Sequence, residues 1–200
     1  QFSIRAYERD EFRRAEHIAF VSKFQSDMFL FVDEAAKDQR TSQRKFGYLP
    51  RGSKHNSELG YFVRKHRMSI LGGMDTTGVV GSFVIEGSFN GDLFLMAFKQ
   101  ALLPHLGQFC LNEPRSIVVM DNCSIHYKRE VIDCIHKAGA IVHFLPPYSP
   151  DYNPIEHIFH YLKSYIRRNY SFAEQHPKLA IYQAFKEMPS EFAEHCVRSC

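Results

Sequence analysis

Between residues 116 and 146 the chain reads as strand, helix and strand in close succession: SIVVMD, YKREVIDCIHKAG and AIVHFLP. The first and last pieces are short apolar runs bounded by turn residues. The middle piece has a helical period and closes on Gly139. Two strands joined through a helix lie parallel in one sheet, and their crossover is right-handed. This unit therefore demands an α/β architecture with helices laid on a sheet. Two hundred residues suit one such domain with a sizeable core, or one domain carrying an extra arm.

The flanking segments extend the pattern. DMFLFVDEA (27–35) is a short strand, and RMSILGGMDTTGVVGSFVIEGSF (67–89) is a hairpin about the turn at 75–78. GDLFLMAFKQALLPHL (91–106) is a helix with Leu93, Ala97, Leu102 and Leu106 as buried candidates and Pro104 in its last turn. A long helix is expected from Pro154 to Arg168, with one or two shorter helices between Phe172 and Val197. Three strands in an antiparallel meander are followed by two strands parallel to the first. That is a ribonuclease H-like arrangement: a five-stranded mixed sheet with helices on both faces. Residues 7–24 read as an amphipathic helix on Phe12, Ala15, Phe20, Val21 and Phe24. The expected organisation is a helical linker remnant over 1–26, the α/β domain over 27–170 and a helical extension over 171–200.

Apolar and charged fractions of 44% and 24% belong to an ordinary globular chain. No apolar run approaches the ~20 residues that span a bilayer, and no signal-peptide pattern opens the chain. Five cysteines without a CxxC pair argue against a disulfide framework and a structural zinc site. A reducing intracellular setting is expected, the nucleus in a eukaryote. The net charge of +3 hides an uneven distribution. Residues 37–67 hold nine Lys and Arg against Asp38 and Glu58, a local charge of +7, leaving about −4 for the other 169 residues.

Asp33 and Asp121 close the first and fourth strands, which this fold makes neighbours, so both carboxylates are expected at one end of the sheet. Ligands in open α/β sheets bind beyond the carboxyl ends of parallel strands. Two acids in one place repel unless a proton or cation intervenes. Glu156, in the first turn of the long helix, offers a third oxygen donor. Three carboxylates suit two Mg²⁺ ions, with Mn²⁺ as substitute. Each acid also has a plainer reading. Asp33 and Asp121 suit strand-end or capping roles. Asn153, Pro154 and Glu156 spell a capping box of the N-x-x-E kind.

FVDEA, MDNCSIH and LPPYSPDYNPIEHIFHYLKSYIRR resemble the three catalytic blocks of DDE transposases in the mariner-like superfamily, with 34 residues between Asp121 and Glu156. The resemblance covers roughly residues 27–169. It implies a metal-binding catalytic triad of Asp33, Asp121 and Glu156, supported by Asn122, His126 and Asn153. It also implies an endonuclease and strand-transfer domain that uses Mg²⁺, acts on double-stranded DNA and self-associates in a DNA complex. Members of the family carry N-terminal helix-turn-helix modules that recognise element ends. None is read here, and the opening helix reads as the end of the linker to them.

Asn122 reads as a holder of Asp121, a phosphate contact or a helix cap. His126 reads as a phosphate contact, a partner that orders a carboxylate, or a packed histidine. Glu156, His160, Lys163 and Arg167 form a stripe along the long helix, either a DNA track or a solvated face. In the basic segment Arg40, Arg44, Lys45, Arg51 and Lys54 are the candidates for phosphate contact, with a solvated loop as the alternative. A ribonuclease H is disfavoured because residues 91–106 carry only Asp92 and no Glu. The rival from another class is a non-catalytic DNA-binding or scaffold protein derived from a transposase.

Overall fold

The computed structural model describes residues 10–37 and 67–200. Strands β1 (Phe29–Lys37), β2 (Met68–Asp75), β3 (Gly78–Glu86), β4 (Ile117–Met120) and β5 (Ile141–Phe144) form one sheet in the order β3-β2-β1-β4-β5. β2 is antiparallel to β1 and β3, whereas β4 is parallel to β1 and β5. The expected ribonuclease H-like mixed sheet is therefore present. The hairpin turns where expected: Asp75 accepts hydrogen bonds from the Thr77 backbone N–H and hydroxyl, both at 2.7 Å.

Side chains alternate across the sheet and feed two cores. Leu30, Val32, Val118 and Met120 pack against helices α2 (Gly91–Ala101) and α3 (Arg129–Lys137). Phe29, Phe31, Ile117 and Val119 face the opposite layer, in which α4 (Ile155–Arg168) is the longest helix. With both faces covered, β1 and β4 read as continuous apolar runs. Among the described residues, no helix is long and apolar enough to cross a membrane.

Several expected boundaries and faces differ. β1 runs four residues past Asp33, because β2 continues to pair with it as far as Lys37. α2 stops at Ala101, and Pro104 lies in a separate 3-10 turn, Leu103–His105. Its buried face is Phe94, Ala97 and Phe98, with Leu93 and Leu106 only partly buried. The C-terminal region forms three helices: α5 (Tyr170–Gln175), α6 (Pro177–Lys186) and α7 (Ser190–Ser199). Pro177 begins α6 and Pro189 precedes α7, where a proline needs no hydrogen-bonded N–H.

The opening helix, α1 (Glu11–Val21), keeps only part of its expected face: Phe20 and Val21, with Phe24 just beyond the helix, pack against the core, whereas Phe12 and Ala15 are exposed. Phe12 is 72% exposed, while Arg14 and His17 are buried. The reason lies in what they meet. Arg14 pairs with Asp151, and His17 stacks on His143 and Tyr152.

Candidate active site

Asp33 is central in β1, yet it stands where that strand loses a neighbour. β4 pairs only with Phe29, Leu30 and Phe31, and Asp121 follows directly after its last residue. The sheet opens there into a cavity of about 470 Å³, lined by Asp33, Asp121 and Glu156 together with Asn122, Asn153 and the 146–150 loop. The three expected acids thus border one space. Gly72, directly opposite Asp33 in the register, brings α4 close to the sheet at this point. A Cβ there would lie 3.3 Å from side-chain atoms of both Ile155 and Phe159.

The acids are held differently. Burial pushes the Asp33 carboxyl up to about 7, with Asp121, Glu34 and Glu156 adding to the rise. A hydrogen bond from the Glu34 N–H, at 2.7 Å, opposes it. Asn153 Nδ2 donates to the other Asp33 oxygen at 3.2 Å. Asp121 is held below the usual carboxylate range, chiefly by its hydrogen bond with His126. Glu156 is exposed in the first turn of α4.

His126 is fully buried, with Nδ1 2.7 Å from Asp121 Oδ1 and Nε2 2.8 Å from Glu34 Oε1. Burial opposes its charge, but the two carboxylates outweigh that penalty and raise its pKa to about 10. An imidazolium donating from both nitrogens bridges the middle of β1, at Glu34, to the residue just after β4, Asp121. Of the three readings of His126, the geometry matches the one that orders a carboxylate. Glu34 is the residue that sequence reasoning missed. Its signal was the second acid of FVDEA, which alternation places on the face opposite Asp33.

Asn122 and Asn153 do not take the capping roles that their sequence positions also suggested. Asn122 neither caps a helix nor holds Asp121. Its Nδ2 donates to Leu145 O at 2.6 Å and its Oδ1 accepts from the Tyr127 hydroxyl, tying the end of β4 to the chain leaving β5. The capping box is also absent. Pro154 takes helical angles and α4 begins at Ile155, with no side-chain cap. Asn153 turns inward to Asp33 instead. It is 3% exposed, and its Oδ1 has no hydrogen-bond partner.

Among the described residues, no three His, Cys, Asp or Glu side chains converge tightly enough to hold a metal ion. Asp121 is turned toward His126, and Asp33 toward Asn153 and the Glu34 N–H. The donor set nevertheless fits a hard divalent cation: three carboxylates and an unpartnered buried amide oxygen at one cavity, with no thiolate–imidazole set. On α4, His160 and Arg167 are exposed and Lys163 is half-buried. Arg40, Arg44, Lys45, Arg51 and Lys54 lie outside the described residues.

Residues 28–177 match a family model described as DDE superfamily endonuclease. A search of curated protein sequences finds no match. Among solved structures, the chain resembles a Mos1 transposase paired-end complex with the left transposon end, with a TM-score of 0.73 and 18% identity over 99% of this chain and 62% of that one. It resembles a Mos1 strand transfer complex with a TM-score of 0.71 and 19% identity, over 99% and 62% of the two chains. The catalytic domain of Mos1 mariner transposase gives a TM-score of 0.64 and 17% identity, over 98% of this chain and 90% of that one. The chain thus spans about three fifths of the length of the paired-end relative. At these identities the likeness is one of fold.

Proposed function

The chain belongs to the DDE superfamily of endonucleases, and from that premise we propose that residues 27–170 are the catalytic domain of a mariner-like transposase. The reaction is metal-dependent cleavage of a DNA phosphodiester, followed by attack of the freed 3′-hydroxyl on target DNA. The observation that carries this reading is the shared cavity of Asp33, Asp121 and Glu156, with Asn153 between the first and last. These acids would hold Mg²⁺, or Mn²⁺ in its place, and a pair of such ions supplies activation of the attacking oxygen and charge neutralisation at the departing one.

The chain's own residues prepare the cavity. Glu34 holds His126 charged, and His126 in turn favours the ionised form of Asp121 and fixes one of its oxygens. Asn153 orients Asp33. Asp33 must release a proton to become a ligand, so its raised pKa makes cation capture pH-dependent. The two-step reaction needs no covalent enzyme intermediate. Duplex DNA is the proposed partner, held by phosphate contacts from Arg40, Arg44, Lys45, Arg51 and Lys54, with His160, Lys163 and Arg167 continuing the track. The Mos1 relatives are paired-end and strand-transfer complexes, which supports self-association on DNA.

The test is product formation on labelled duplexes with an exposed 3′-hydroxyl, in Mg²⁺, Mn²⁺ or EDTA, alongside Asp121→Asn. Product in metal alone, lost in the variant, is expected. Equal product in EDTA or from the variant overturns the reading. The non-catalytic scaffold is favoured by one observation, the engagement of Asp121 with His126 instead of its fellow acids. Persistent DNA binding with no product in Mn²⁺ would select it.

A further inference from the structure

α1 breaks the ordinary rule for a surface helix. It leaves Phe12 72% exposed and Ile18 exposed, while Arg14 is only 5% exposed. Burying a guanidinium is unfavourable unless its charge and donors are matched. Here they are matched chiefly by one short segment, with Glu11 Oε2 of the same helix 3.7 Å from the Arg14 Nε. Arg14 forms a two-pronged pair with Asp151, at 3.1 and 2.7 Å, and its guanidinium lies 3.9 Å from the centre of the Tyr152 ring.

The rest of the inner face extends the grip. The His17 ring stacks on Tyr152 at 4.9 Å, and its Nδ1 lies 2.9 Å from His143 Nε2. Phe20 stacks on His143 at 4.0 Å. α1 therefore joins β5, through His143, to the 3-10 turn Pro150–Tyr152. That turn runs straight into Asn153, which holds Asp33, and then Glu156 in the first turn of α4. α4 has no side-chain cap, and its first turn closes on backbone bonds from the Glu156 N–H to Asn153 O at 3.2 Å and the His157 N–H to Pro154 O at 3.1 Å.

We propose that Arg14 is a positioning residue: through Asp151 and Tyr152 it holds the turn that seats Asn153 against Asp33 and Glu156 at the cavity, so that docking of α1 governs assembly of the three carboxylates. The inference rests on the carboxylate reading above. It goes further in making a polar contact in the opening helix, remote in sequence from every acid, a determinant of cation affinity.

The test uses the full chain with Arg14→Lys, Asp151→Asn and the reciprocal exchange Arg14→Asp/Asp151→Arg. Mn²⁺ affinity is measured by calorimetry, and amide exchange is followed across residues 146–156. Single-turnover cleavage then separates kcat from KM for duplex. Groups that orient ligands without touching the metal typically change affinity by about 10–100-fold. Arg14→Lys and Asp151→Asn are each expected to weaken Mn²⁺ binding by about 10-fold. Exchange should speed in the 146–156 segment, and kcat should fall with KM for DNA unchanged. The exchange variant is expected to recover part of the loss.

If both single variants fold and keep wild-type Mn²⁺ affinity and loop exchange, the positioning role is wrong. Should Arg14→Lys fail to fold, Asp151→Asn decides, because Asp151 is the half-exposed partner of the pair. A separate arm compares wild type with Asp121→Asn. If Mn²⁺ affinity is the same in both, the carboxylate reading itself falls and the proposal falls with it. If Asp121→Asn abolishes binding while Asp151→Asn leaves it intact, only the positioning role is lost.

Discussion

Asp33 is more stable as an acid than as an anion, because burial and three neighbouring carboxylates raise its pKa to about 7. The folded state therefore holds its proton where the unfolded chain has released it. This contribution to stability is present in full below about pH 4 and is lost as pH rises toward 7, with an upper bound on the order of 4 kcal/mol. Asp33→Asn removes that loss. In metal-free buffer at pH 8 the variant should melt above the wild type, and the gap should close near pH 4. Added Mn²⁺ should raise the wild-type Tm but not that of Asp33→Asn. A variant that melts below wild type at pH 8 without metal would refute the account. Glu156→Gln is informative because Glu156 caps nothing. Cleavage should be lost with helix content and Tm unchanged by circular dichroism.

At the scale of elements, α1 is held by groups that dislike a second proton. Burial, then His143 and Arg14, lower His17 to about 4. Tyr152 covers its ring, and His143 is itself lowered by burial. A histidine lowered on docking contributes stability that is full above about pH 6.5 and is lost as pH falls toward 4, on the order of 3 kcal/mol at most. Amide protection within α1, taken relative to the intrinsic exchange rate at each pH, should therefore fall between pH 7 and 5 by more than that of the helices packed on the sheet. His17→Phe, which cannot take the proton, should flatten that dependence. The packing of β3 against α2 gives a sharper steric test. A Cβ on Gly81 would stand 2.1 Å from the backbone oxygen of Ala101, which no rotamer change relieves. Gly81→Ala should lower unfolding free energy by about 1–3 kcal/mol in urea titration, as forced overpacking does.

Across the whole molecule, charge and chemistry occupy different stretches of sequence. The acids gather around one cavity, and the +7 of residues 37–67 lies between β1 and β2. A protein binding phosphates through that segment loses affinity steeply with salt. Reversing Arg44, Lys45 and Arg51 together should weaken unrelated duplexes by similar factors and flatten the salt slope, by about one unit at most for each lost contact. An unaltered salt titration would shift the DNA track to Lys163 and Arg167. The chain spans 62% of the paired-end Mos1 relative.

The sheet and the acids were legible in the sequence because they depend on local periodicity. Alternating apolar residues, a hairpin turn and a crossover helix leave few topologies, and acids toward the carboxyl side of two adjoining strands border one space. Length and face were less legible. β1 outlasts Asp33 because β2 continues to pair with it as far as Lys37, a partnership between segments distant in sequence and unmarked within FVDEA. Asn153 and Glu156 spelled a capping box, since N-x-x-E carries that local meaning, but a desolvated carboxylate from a distant strand competes for the same amide and takes it. α1 shows the strongest override. Its apolar residues mark one face by period, yet a carboxylate and two aromatic rings, more than 120 residues away in the chain, draw Arg14 and His17 inward. Local sequence specifies what each segment does alone. Which polar groups are buried depends on partners that only the assembled sheet brings within reach.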